Sequence, residues 1–159
     1  MSSDIQFPWQ QEAIISHSQL LLKSYQHWTG NSLLDFSGSP IEIAKALFEV
    51  PFPVLSHGTE PDPIYNYGNR KALEFWEMDW ENFTKMPSRY SAEPMEREER
   101  LRLLNQVTTK GYLNNYRGVR ISSTGKRYMI SNVTVWNILD QDNHHCGQAA
   151  TFSQWTLIN

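Results

Sequence analysis

The chain has 159 residues, 40% of them hydrophobic and twenty of them aromatic, which fills the core of one domain with an extension and excludes a disordered or fibrous protein. Fourteen basic residues against seventeen acidic ones leave a net charge of −3, without the basic excess of a nucleic-acid binder. Cys146 is the lone cysteine, the opening Met1-Ser2-Ser3-Asp4-Ile5 has no signal-peptide pattern, and no apolar run is long enough to cross a bilayer, so the expectation is a cytoplasmic protein without disulfides, membrane spans or a direct nucleic-acid partner.

From about Trp9 to Trp28 the apolar residues fall at helical spacing, with Ile14, Ile15, Leu21, Leu22 and Tyr25 as a stripe, until Gly30 ends the pattern. Ser39-Pro40-Ile41-Glu42 then places a capping hydroxyl, a first-turn proline and a carboxylate three residues on, which predicts a second helix to about Phe48. Pro51 and Pro53 force extended backbone into an edge-like strand, Phe52 to His57, that pairs with Ile64 to Tyr67. The second strand breaks at Gly68-Asn69 into a helix carrying Ala72, Leu73, Phe75 and Trp76, with Asn69 as a cap. Asp79-Trp80-Glu81-Asn82 restarts a short helix, and Ser88 to Pro94 reads as an irregular loop. A long helix, Met95 to Lys110, is expected to turn Leu101, Leu103, Leu104 and Val107 inward, leave its charges, Arg100 among them, in water, and stop at Gly111. Three strands follow, Tyr112 to Ser122, Arg127 to Leu139 and Cys146 to Leu157, joined by turn-forming tetrapeptides into an antiparallel meander. The middle one carries Tyr128, Ile130, Trp136 and Ile138 on one face and Met129, Val133, Val135 and Leu139 on the other, so the first helix or a second copy of the chain is expected to cover the face that the later helices leave open.

The strand-to-helix corner from Asp62 to Trp76, with Pro87 to Pro94, Gly118 to Ser122, Val135-Trp136-Asn137 and Gly147 to Ala150, closely resembles the MEKHLA domain family over about His57 to Phe152. That resemblance implies a PAS-like fold. The expected architecture is α+β: a PAS-like five-stranded antiparallel sheet with helices on one face (50–159) and an N-terminal helical extension of two helices (1–49). It implies a non-enzymatic sensory or regulatory module that binds a small molecule or a protein partner and signals through association. A ligand-free homodimerisation module and a small α+β cone-type enzyme are the alternatives.

Polar residues interleaved with aromatics on the meander suit a small-molecule cavity under the long helix, with Trp136 and Asn132 or Thr134 at its wall, or else point into water and satisfy backbone groups. Arg89 and Arg120 have no acidic neighbour in sequence, so each either clamps an anion or closes an internal ion pair, with Asp62 or Glu93 as candidate partners. The ligand-binding candidates are Tyr67, Asn69, Trp76, Arg89, Arg120, Asn132, Thr134, Trp136 and Gln148, and core packing or capping is the competing role for the aromatics and Asn69. A homodimer is expected through Ile14, Ile15, Leu21, Leu22 and Tyr25, and a regulatory protein is the other candidate partner. His144-His145-Cys146 and the Asp140-Asp142 turn lack the ligand pattern of zinc or calcium, so no metal is expected. Of the cofactors that the PAS resemblance implies, a flavin adduct lacks a cysteine in residues 69 to 110 and haem lacks a histidine on the long helix Met95 to Lys110, which leaves non-covalent flavin or a small organic ligand.

Overall fold

The computed structural model describes residues 7–158; the opening residues Met1 to Ile5, noted above for lacking a leader, lie outside them. A 3-10 turn (Pro8–Gln10) leads into α1 (Glu12–Thr29), which stops at Gly30 in the left-handed region. Helix α2 (Pro40–Glu49) begins at the expected box: Ser39 accepts from the Glu42 amide, and Glu42 accepts from the Ser39 amide at 2.8 Å. Strands β1 (Val54–His57) and β2 (Tyr65–Gly68) follow, then α3 (Arg70–Trp76) and α4 (Trp80–Phe83), capped by Asn69 and Asp79. The stretch expected as irregular contains a 3-10 turn (Ser88–Ser91) before α5 (Pro94–Lys110). Strands β3 (Tyr112–Ile121), β4 (Arg127–Leu139), β5 (His145–Thr151) and β6 (Gln154–Leu157) complete the chain.

All pairings are antiparallel, in the order β2-β1-β5-β4-β3, with β6 also on β4. The expected fifth strand is broken at Phe152-Ser153, so six strands form instead of five. β5 pairs with Thr134 to Leu139 and β6 with Tyr128 to Ser131, and the break lies opposite a distortion in β4. There Asn132 has φ 53, and between Tyr116↔Val133 and Gly118↔Ile130 the β4 side spends three steps against two. A compensating bulge lies across the ladder at Asn114-Asn115, where Asn115 has φ 56.

The bulge in β4 corrects the expected face assignment. Strict alternation puts Ile130 and Val133 on opposite faces; the extra residue brings Ile130, Val133 and Val135 to one face and Trp136 and Ile138 to the other. The first set meets α3, α4 and α5 through Phe75, Trp76, Phe83, Leu103 and Val107. The second meets α1 and α2 through Leu21, Leu47 and Phe48.

The dimer stripe is therefore used inside the chain. Leu21 is fully buried, and Ile14, Leu22 and Tyr25 pack on the second cluster, because α1 lies over the face of β4 that carries Trp136. Ile15 is half-buried on the same helix.

Candidate functional site

A cavity of about 50 Å³ lies between the sheet and α5. Its apolar wall includes Leu55 from β1, Leu103 and Leu104 from α5, Ile130, Val133 and Val135 from β4, and Phe152 at the strand break. Trp76 reaches it from α3, and Arg100, Arg120, His57, Tyr65, Tyr116 and Gln148 supply polar groups. The bulge in β4 shapes this wall directly, since it turns Val133 and Val135 to the same side as Ile130.

Arg100 is the largest departure from the sequence reading. It was expected in water with Leu101 inside, yet Arg100 is 8% exposed and Leu101 58%. Position 100 precedes Leu103, Leu104 and Val107 by three, four and seven residues, which puts it on their helix face. That spacing was the available signal, masked by the run of charges Glu96 to Arg100.

Arg120 on β3 is 6% exposed and comes from the opposite wall. Its guanidinium donates to Val119 O at 2.7 Å and to the Tyr116 hydroxyl at 3.3 Å. Tyr116 donates in turn to Glu99 Oε2 at 2.7 Å. Among the described residues neither Arg100 nor Arg120 has a carboxylate within 4.0 Å, and Arg100 makes no side-chain hydrogen bond that meets normal geometry. Burial pushes the Arg100 pKa below its ordinary value; the Tyr65 phenol offsets part of this, and the Arg120 cation adds to it. Burial likewise raises the Tyr116 phenol.

Two further wall residues carry unpaired polar atoms. His57 Nδ1 faces Gly58 O at 2.9 Å; a carbonyl only accepts, so Nδ1 carries the proton and the buried Nε2 is a bare acceptor. Burial holds this imidazole at about 4, hence neutral near pH 7. The indole N–H of Trp76 is a buried donor without an acceptor. Gln148 is tied into its surroundings: its amide donates to Leu104 O, Thr108 Oγ1 and, at 3.1 Å, Asn137 Oδ1. Asn137 binds α5 through Val107 O, and its carbonyl accepts from Trp28 of α1 at 2.9 Å.

Of the sequence candidates, Trp76, Arg120 and Gln148 line the cavity. Tyr67 and Trp136 lie in the cluster under α1, on the other side of the sheet, and Trp136 donates to Leu21 O. Asn132 and Thr134 sit along a shallow depression beside Tyr25 and Leu33, displaced from the expected wall by the change of face at the bulge. Asn69 is spent on structure: Oδ1 accepts from Ala72 N and Val54 N, and Nδ2 donates to Leu47 O and Phe52 O. Arg89 forms a surface pair with Asp62 at 3.1 Å, whereas Glu93 pairs with Arg127 at 2.6 Å. Asp140, Asp142 and His144 cluster at an exposed turn, which Asp140 closes by accepting two backbone amides.

Across residues 15–157 the chain matches the MEKHLA domain. The chain belongs to the MEKHLA domain family. No curated protein matches it. Among solved structures this MEKHLA chain is similar to the PAS domain of a protein from Colwellia psychrerythraea, with TM-score 0.61 and 14% identity over 74% of this chain and 94% of that one. It is also similar to a light-oxygen-voltage domain studied with a flavin analogue (TM-score 0.58, 10% identity, 74% of this chain and 85% of that one). The blue-light photoreceptor Aureochrome1 LOV, in its dark structure, gives TM-score 0.55 and 16% identity over 78% of this chain and 88% of that one. These likenesses show the fold: the MEKHLA chain has the architecture of PAS and LOV domains.

A flavin does not fit this site. Pockets for ligands of that size start near 300 Å³, several times this cavity, and the lone Cys146 packs on the opposite face of the sheet. The same volume excludes haem, and α5 offers it no histidine. Among the described residues no helix is long and apolar enough to cross a membrane.

Proposed function

We propose that this MEKHLA domain is a non-enzymatic sensory module that holds a small molecule in the cavity between its sheet and α5, and passes the bound state to α1 on the other side. The observation that carries this reading is the cavity wall itself: two arginines without carboxylate partners, an unpaired indole donor and an unpaired imidazole acceptor, buried among apolar side chains. Buried polar groups ordinarily have partners, and leaving one unpaired costs about 1–3 kcal/mol, more for a charge. A ligand that pairs them recovers that free energy.

Binding suits these groups better than catalysis. Among the described residues the carboxylate linked to Arg120, Glu99, is engaged by Tyr116, and His57 is held so far down in pKa that it is a weak base. The route outward is continuous: Gln148 in the wall bonds Asn137, and Asn137 O accepts from Trp28 on α1. A change in the wall thereby reaches the helix on the opposite face through bonded atoms.

Native mass spectrometry of freshly purified full chain, followed by small-molecule titrations that monitor the Trp76 indole N–H resonance, tests the reading. A bound mass, or a ligand that shifts the Trp76 signal, is expected. Absence of any bound species together with a Trp76 signal indifferent to neutral and charged compounds alike refutes it.

A further inference from the structure

The charge balance of the cavity narrows its ligand, an argument that rests on the small-molecule reading above. We propose that the ligand is a short-chain monocarboxylate, its oxygens held between the Arg100 and Arg120 guanidiniums and its aliphatic end against the Leu103 and Val135 side of the wall.

Arg100 and Arg120 bring two positive charges to one buried space. Glu99 is the carboxylate tied to them, and it reaches Arg120 through the Tyr116 hydroxyl rather than directly. Two cations against one carboxylate leave one charge uncompensated, which calls for a monoanion. An uncompensated buried charge is strongly unfavourable, so an anion placed there gains more than a surface ion pair does. Guanidinium forks match the planar geometry of a carboxylate, and the unpaired Trp76 N–H is one more donor for an oxygen.

Size and lining set the rest of the molecule. A cavity of about 50 Å³ accommodates roughly four waters, or a few non-hydrogen atoms in their place. Its remaining wall is Leu55, Leu103, Ile130, Val133, Val135 and Phe152, a surface that rewards methylene groups and penalises a second charge. An inorganic anion would satisfy the arginines and leave that wall unused; a dicarboxylate would bury a charge without a partner.

The test titrates the full chain with sodium acetate, propionate and butyrate, with propionamide and 1-propanol as neutral isosteres, and with sodium chloride and nitrate at matched ionic strength. Binding is read from the Trp76 indole resonance and thermal melts. Propionate or butyrate is expected to bind at least tenfold more tightly than propionamide and than either inorganic anion, and Arg100→Met to lose at least tenfold of that affinity. Arg100→Met keeps the fold testable, since it breaks no ion pair and leaves only the Tyr65 phenol without its neighbour, whereas Arg120→Met also releases the Tyr116 hydroxyl that holds Glu99. Equal binding of amide and acid overturns the charge assignment while the cavity reading stands. Equal binding of chloride or nitrate overturns the carboxylate, as does unchanged affinity in Arg100→Met. Silence with every probe overturns both the inference and the reading beneath it.

Discussion

Tyr116 donates its phenolic proton to Glu99 across 2.7 Å, and through that bond a carboxylate is linked to the buried cation pair. Arg120 donates to the Tyr116 hydroxyl oxygen at 3.3 Å, so the phenol mediates between opposite charges that do not touch. Hydrogen bonds to charged groups contribute about 1.5–3 kcal/mol, and Tyr116→Phe loses two of them. The expected cost is about 3 kcal/mol or more in urea denaturation, with the ring packing unchanged. Glu99→Gln removes the competing negative charge and is expected to raise carboxylate affinity several-fold. A stability equal to wild type in Tyr116→Phe would show that this phenol bridges nothing of consequence.

Acid is expected to unfold the protein through two histidines. Burial holds both His57 and His17 at about 4, against about 6.5 in an unfolded chain. Their folded pKa values are depressed, so the stability they contribute is fully present above pH 6.5. It is lost as the pH falls toward 4, because the unfolded chain takes up protons that the folded one refuses. The loss is on the order of 3 kcal/mol per histidine and levels off once the folded form protonates too. Denaturant melts between pH 7.5 and 4.5 should show a slope approaching two protons. His17→Gln, which preserves a bond to Ser56 Oγ, should remove about one of them. A flat profile across that window is the contrary result.

Asn69 is expected to matter for stability and not for binding. Its side chain caps α3 and closes three buried backbone groups, at Val54, Leu47 and Phe52, where β1 enters the sheet. Asn69→Ala removes a cap worth about 1 kcal/mol and leaves those groups unpaired, for a total of about 3 kcal/mol or more. Below the melting transition its ligand affinity should match wild type, since Asn69 does not line the cavity. A loss of affinity without a loss of stability would restore it to the ligand set.

These residues also mark how far the sequence could be read. Asn69 and Ser39 signal their helices through local bonds within three residues, so their elements were legible from spacing alone. The faces of β4 were not, because a bulge depends on the partner strand: an Asn-Asn pair on β3 and an asparagine on β4 are compatible with ordinary strand until the two are paired. Arg100 was hidden for another reason. A charge-rich helix invites the reading that all its charges are wet, and only the three-, four- and seven-residue offsets to Leu103, Leu104 and Val107 argue otherwise. Arg120 was legible as a charge at mid-strand, but what it faces is set by a helix that precedes it in sequence.

The link from the cavity to α1 can be cut without touching the cavity. Trp28→Phe retains a ring against the sheet and loses the N–H that Asn137 O accepts at 2.9 Å. That carbonyl belongs to the residue whose side chain is held by Gln148 in the cavity wall and by Val107 O on α5. Losing one such bond costs about 1 kcal/mol, too little to unfold the domain. If the wall and α1 communicate through Asn137, a cavity ligand protects α1 from amide exchange in wild type, and Trp28→Phe binds it with unchanged affinity but no longer transmits the protection. Hydrogen exchange of the 12–29 segment with and without ligand reads this directly. Equal protection in both proteins would mean that α1 responds not through this bond but through its other contacts with β4, which the substitution leaves in place: the packing of Leu21 and Trp136 and the Ser24 hydroxyl that accepts from the Leu139 amide at 2.9 Å.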